Sequence, residues 1–138
     1  MRGILALVAA SGALLIAADA ALACSCVAIP AREKLEQADG AVVARLLSVK
    51  RLDDGDETVS SADRTNYVYR VGRVYKGRPR LARGRRLTVR SAYESASCGL
   101  SNRVGVLTGL FLHRRGGRWH AGACDEVSPR DMRVACGP

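Results

Sequence analysis

Cys24-Ser25-Cys26 is the tightest cluster of reactive side chains in this chain. Two thiolates at that spacing can share one soft metal ion. In an oxidising compartment the same sulfurs instead form disulfides with cysteines further along. A Cys-x-x-Cys redox motif is absent, and the one-residue spacing is a poor substitute for it. His113 and His120 fall near the ends of adjacent predicted strands without metal-ligand spacing, and read as ordinary edge or exposed residues. No Ser, His and Asp set is singled out, and Gly116-Gly117 reads as a turn, not a phosphate loop. The chain is therefore expected not to be an enzyme and to carry no cofactor of its own.

The choice between thiolate and disulfide depends on the compartment. Residues 1–23 have one cation at Arg2, an apolar core from Ile4 to Ile16, and Ala21-Leu22-Ala23 at the end, the small-x-small pattern that signal peptidases cut. That core is shorter than the roughly 20 residues of a bilayer-crossing helix, so the segment is an address, and no transmembrane segment is expected once it is removed. Cutting after Ala23 leaves Cys24 first. A lipid anchor on Cys24 is the rival, but the usual lipoprotein signal has Leu where Ala21 stands, so plain cleavage is expected. The mature part, 24–138, is one small domain, secreted, or held in the periplasm or envelope in a Gram-negative source. Cysteines 24, 26, 98, 124 and 136 suit disulfide stapling there, and because five is odd at least one has no partner within the chain. Sequence alone does not choose among the pairings.

The formal charge of +9 is concentrated. From Arg70 to Arg90 there are nine cations and no acid, while Asp53, Asp54, Asp56 and Glu57 form an acidic loop. The plain reading is a solvated face. The sharper one is a patch at Arg78, Arg80, Arg83, Arg85 and Arg86 for a polyanion, such as an acidic polysaccharide, or for another surface protein. Nucleic acid is not expected as a partner, because single-strand sites need stacking platforms and the chain has four Tyr, one Phe and one Trp.

The elements that must position these groups follow from periodicity. Residues 29–38 read as a short helix with Pro30 in its first turn and Gly40 beyond its end. Residues 41–50 are rich in branched side chains and read as a mostly buried strand. Asp53 to Asp63 is a loop. Tyr67, Tyr69 and Val71 alternate with Val68 and Arg70 in a second strand, and Gly72 before Val74 predicts a bulge that swaps its inward face. A third strand centres on 87–90, a fourth runs from Val104 to Leu112, and a fifth covers Trp119 to Cys124, with Arg114 to Arg118 as a hairpin turn before it. Five strands with one or two short helices predict an all-β, five-stranded Greek-key barrel of the OB type, stapled by disulfides.

Several stretches, in order, resemble the N-terminal, netrin-like domain of the tissue inhibitors of metalloproteinases. They are Cys24-Ser25-Cys26-Val27, Ala38-Asp39-Gly40-Ala41-Val42-Val43, Tyr69-Arg70-Val71 with Val74-Tyr75-Lys76-Gly77, Ser95-Ala96-Ser97-Cys98-Gly99-Leu100, and Ala123-Cys124-Asp125. The resemblance spans nearly the whole mature chain. It implies an OB-like barrel with Cys24 bonded to Cys98 and Cys26 to Cys124. It implies a zinc metalloprotease as partner, with the α-amine and carbonyl of Cys24 chelating the enzyme's zinc. Ser25 would face the primed-side specificity pocket with Val27 beside it, and Ser95, Ala96 and Ser97 would line the same ridge. Three departures stand out. The first helix lacks the cysteine of the family's third disulfide, leaving Cys136 free or linking two chains. Ala28 stands where Pro is usual, and the family's separate C-terminal domain has no counterpart.

Overall fold

The computed structural model describes residues 24–52, 64–92 and 98–137. The segment 1–23, the acidic loop of Asp53, Asp54, Asp56 and Glu57, and Ser95, Ala96 and Ser97 lie outside the described residues. The chain runs α1 (Ala31–Gln37), β1 (Gly40–Arg51), β2 (Arg64–Lys76), β3 (Arg86–Ala92), β4 (Leu107–Arg115), β5 (Arg118–His120), a 3₁₀ turn (Ala123–Asp125), β6 (Glu126–Val127) and α2 (Pro129–Cys136). Strands follow the order β1-β2-β3-β5-β4, and a β1–β4 pairing closes the barrel. Among the described strand pairs only β3–β5 is parallel. Two-residue β6 adds to the edge of β4. This is the all-β, OB-like barrel that the strand count predicts.

Both faces of the first part of β1, Gly40 to Ala44, are buried, which is why its text there is apolar without alternation. Val42, Ala44 and Leu46 point into the barrel with Tyr67, Tyr69, Val89, Leu110 and Leu112. Ala41 and Val43 point outward into a second cluster with Ala38, Phe111 and Met132, against which Leu35, Tyr75 and Cys136 pack. The two helices thus cover the β1–β4 side of the barrel. Gly109 permits this close approach, since a Cβ there would sit 2.8 Å from Val127 Cγ2 and 3.0 Å from Met132 Cβ.

The predicted bulge is at Gly72: Val43 pairs with Arg73 and Ala44 with Val71, so Gly72 has no partner of its own. Buried positions on β2 are odd-numbered through Val71 and switch to Val74 beyond it. Lys76 then reaches across to donate from Nζ to the carbonyls of Leu35 (2.8 Å) and Glu36 (3.1 Å), tying the end of α1 to the end of β2. Gly116 and Gly117, with φ of 54° and 75°, form the tight β4–β5 turn between paired Arg115 and Arg118.

Four boundaries differ from the sequence-based expectation. α1 begins at Ala31 with Pro30 as its N-cap, and Gly40 starts β1 rather than following the helix. β4 begins at Leu107: Val104 and Val106 are exposed at 63% and 48%, because Gly105 turns the chain at φ 86°. β5 stops at His120, and Cys124 sits in the 3₁₀ turn. The second helix, α2, is set by Ser128, whose Oγ accepts from Asp131 N (3.0 Å), by Pro129 at its first position, and by Gly137 past its end.

Candidate functional site

Residues 24–30 have no regular structure. Ser25, Cys26, Val27 and Ala28 are exposed, and Val27 retains 75% of its surface. A segment with no strand or helix partners ordinarily frays. Here Cys24 is bonded to Cys98 and Cys26 to Cys124, with Cα–Cα separations of 5.2 and 5.3 Å. These are the two bonds named from the family resemblance. Ile29 N donates to Val27 O (2.8 Å), closing a three-residue turn that leads into α1.

The two anchors are held side by side. Ala123 N donates to Cys98 O at 2.9 Å. Gly122 is needed for this approach, since a Cβ would lie 2.8 Å from that same oxygen. The sulfurs of Cys24, Cys26 and Cys124 consequently lie within 4.8 Å of one another. They have the composition of a soft-metal site, but each is spent in an S–S bond and offers no thiolate.

Each anchor is in turn fixed to the barrel. Asp125 Oδ2 accepts from Gly122 N (2.8 Å), and its Oδ1 lies 3.2 Å from His113 Nε2 on β4. Lys34 Nζ of α1 donates to the carbonyl of Cys124. Beyond Cys98, Glu126 accepts from Ser101 N (2.6 Å) and Ser101 Oγ (2.7 Å). Leu100 N donates to Ser91 Oγ at 3.1 Å, Tyr67 OH donates to Leu100 O at 3.1 Å, and Asn102 Nδ2 donates to Tyr69 OH at 2.9 Å. Burial pushes the Tyr69 phenol well above its ordinary range, so it stays a neutral hydrogen-bonding group at any physiological pH. A hollow of about 290 Å³ opens beside the exposed segment, bordered by Ser25, Val27, Lys34, Gln37 and His113.

The residues singled out from sequence divide as follows. Cys24, Ser25, Cys26 and Val27 form one edge, with Cys24 half-buried and the other three exposed. Ser95, Ala96 and Ser97, which precede Cys98, lie outside the described residues, so only Cys98 stands for that half of the ridge. His113 and His120 are half-buried and directly paired across β4 and β5, and His113 braces Asp125. Of the five arginines considered for a polyanion, Arg80, Arg85 and Arg86 line one groove, whereas Arg78 and Arg83 border a separate hollow with Gly72 and Arg73. The bracing set of Lys34, His113, Asp125 and Glu126 was not identified as such from sequence. Its one visible signal was the Cys124-Asp125 dipeptide.

In comparison with known proteins, the family model described as "Tissue inhibitor of metalloproteinase" matches residues 22–134. No curated protein matches the chain. The matched span takes in both disulfides, the closed barrel and the exposed Cys24–Val27 edge. This chain therefore belongs to the tissue inhibitor of metalloproteinase family.

Proposed function

We propose that this protein is an exported inhibitor of zinc metalloproteases, acting through Cys24 as the first residue of the processed chain. The observation that carries the reading, beside family membership, is the pair of adjacent disulfides that hold an exposed Cys24–Val27 edge against a rigid barrel. Ordering a flexible terminus costs affinity, and these bonds remove that cost before the target arrives.

The chemistry follows from the chain's own atoms. A free α-amine and the carbonyl oxygen of Cys24 are two donors on one residue, spaced to chelate a single ion. A catalytic zinc held by three protease side chains keeps its remaining position for the attacking water. With that position filled by Cys24, the protease has no activated nucleophile. Ser25 presents a short hydroxyl side chain to the pocket next to the metal, with Val27 alongside. The α-amine coordinates only when unprotonated. Such groups ordinarily titrate near about 7.7–8.0, so the proton competes mildly at neutral pH and strongly below it.

The test compares protein processed at Cys24 with the same protein carrying one additional alanine before Cys24. The extension turns the amine into an amide without a lone pair to donate. Inhibition of a zinc metalloprotease is expected to weaken by about a thousandfold, the scale of losing a central hot spot. Both disulfides and the thermal midpoint should be retained. Equal inhibition by the extended protein overturns the chelation.

A further inference from the structure

The helices cover one side of the barrel and leave the outer face of β2, β3 and β5 open, and that face is lined with cations in register. Arg45, Arg70 and Arg86 are direct partners across β1, β2 and β3, and all three are exposed. Like charges placed directly opposite one another destabilise a sheet. Two rows further along, past Thr88, Arg90 pairs with His120 across the parallel β3–β5 contact. Beside these rows lies a groove of about 360 Å³ lined by Arg80, Arg85, Arg86, Arg90 and Arg118 together with Leu81 and Trp119. Among the described residues no carboxylate lines this groove and none of these five guanidiniums has an ion-pair partner. Arg118 comes from a strand far outside the 70–90 charge run, so the cluster is a product of the fold, not of one arginine-rich segment.

Self-repulsion on this scale works against the compact state and is relieved by a bound anion. The guanidinium is the side chain best matched to flat, bidentate oxyanions such as carboxylate and sulfate. Cross-strand neighbours sit about 4.8 Å apart, so the ladder offers a row of charges, suiting a polymer that repeats its anion along its length. Single-stranded nucleic acid would need successive stacking platforms. Among the described residues the groove has one aromatic ring, Trp119, and Arg114 already lies over it at 5.1 Å.

We infer that the open β2–β3–β5 face, centred on the Arg80, Arg85, Arg86, Arg90 and Arg118 groove, is a binding site for an acidic polysaccharide bearing carboxylate or sulfate on successive sugars. The site shares no residue with the Cys24–Val27 edge and does not depend on the inhibitory reading.

The experiment uses the disulfide-bonded protein, with dextran sulfate and polygalacturonate as probes, neutral dextran as the blank, and oligo-dT as the nucleic-acid competitor. Two double variants remove the same charge. R86S/R118S removes two of the five arginines of the groove, and R78S/R83S removes two from the arginine run outside it. Wild type is expected to bind at least one acidic polymer with affinity that falls linearly on a log–log plot against salt. R86S/R118S should weaken this about tenfold or more and flatten the salt slope by roughly two. R78S/R83S should change it less than about twofold, and neither variant should alter the thermal midpoint downward. Binding of dextran sulfate but not polygalacturonate identifies sulfate as the recognised group, and the reverse identifies carboxylate. Equal losses in the two variants would reduce the effect to net charge and overturn the site. So would failure to discriminate acidic polymers from dextran, or tighter binding of oligo-dT than of either polysaccharide.

Discussion

Asp125 braces the exposed edge with both of its oxygens, one on Gly122 N and one on His113. Asp125→Asn keeps an acceptor for the amide but removes the charge facing His113. It should raise the inhibition constant by about threefold to tenfold, in line with the loss of one charge-assisted bond. Asp125→Ala removes both contacts and should cost more, and inhibition assays beside a melting curve separate loss of bracing from loss of fold. His120 gives a pH prediction. Burial first, then the field of Arg115 with Arg90 and Arg118, holds its pKa below the usual imidazole value of 6.5. The unfolded chain therefore takes up a proton at a pH where the folded one does not. Stability contributed by His120 is complete above about 6.5 and declines as pH falls below that value. An imidazole proton titration in the folded protein should find His120 below the free value, and Arg115→Ser should move it upward. Burial likewise pushes the Cys136 thiol up, so its alkylation at neutral pH should be slow until the protein is unfolded. None of these environments is written in neighbouring residues. His113 and Asp125 meet because strand register brings them together, and sequence spacing gives no sign of it.

At the level of elements, the signals that were legible are those decided within a few residues. The Gly72 bulge, the Gly116-Gly117 turn and the apolar run that opens β1 each state a local backbone or burial preference, and each holds in the fold. Where long-range contacts decide, the text misleads. Val104 and Val106 have strand-like side chains, yet Gly105 turns the backbone and leaves them in solvent. β5 ends early because Gly122 must lie against the Cys98 carbonyl. α2 carries a readable start in Ser128, Pro129 and Asp131, although its packing partner, the Gly109 gap on β4, is visible only in the fold. Two substitutions test this element. Ser128→Ala removes the N-cap and should destabilise by about 1 kcal/mol in urea unfolding. Gly109→Ala drives a methyl group into Val127 and Met132 and should cost about 1–3 kcal/mol, with increased reactivity of Cys136 as the helix shifts.

Over the whole molecule, one barrel serves two surfaces. Its β1–β4 side is covered by helices and its β2–β3–β5 side is open and cationic, while the disulfides hold the otherwise irregular Cys24–Val27 segment along one edge. The Cys24–Cys98 bond closes a sequence separation of 74 residues, and loop-closure entropy puts its stabilisation at about 4 kcal/mol. Replacing both cysteines by serine should lower unfolding free energy by up to that amount. Inhibition should fall further than the stability loss explains, since Cys24 is released from its anchor. Urea titration and inhibition assays on the same sample distinguish the two losses.

By itself the amino-acid sequence determined the five strands of the barrel, their tight turns and the order of motifs that match a family, because propensity, side-chain alternation and glycine conformation act over a few bonds. Tertiary structure alone decided closure of β1 on β4, the parallel β3–β5 pairing, the sulfurs that meet, the bracing of Cys124 by Asp125 and His113, and the gathering of Arg118 with Arg86 and Arg90 around one groove. Those depend on register between segments far apart in the chain, and register is set by how the whole core packs.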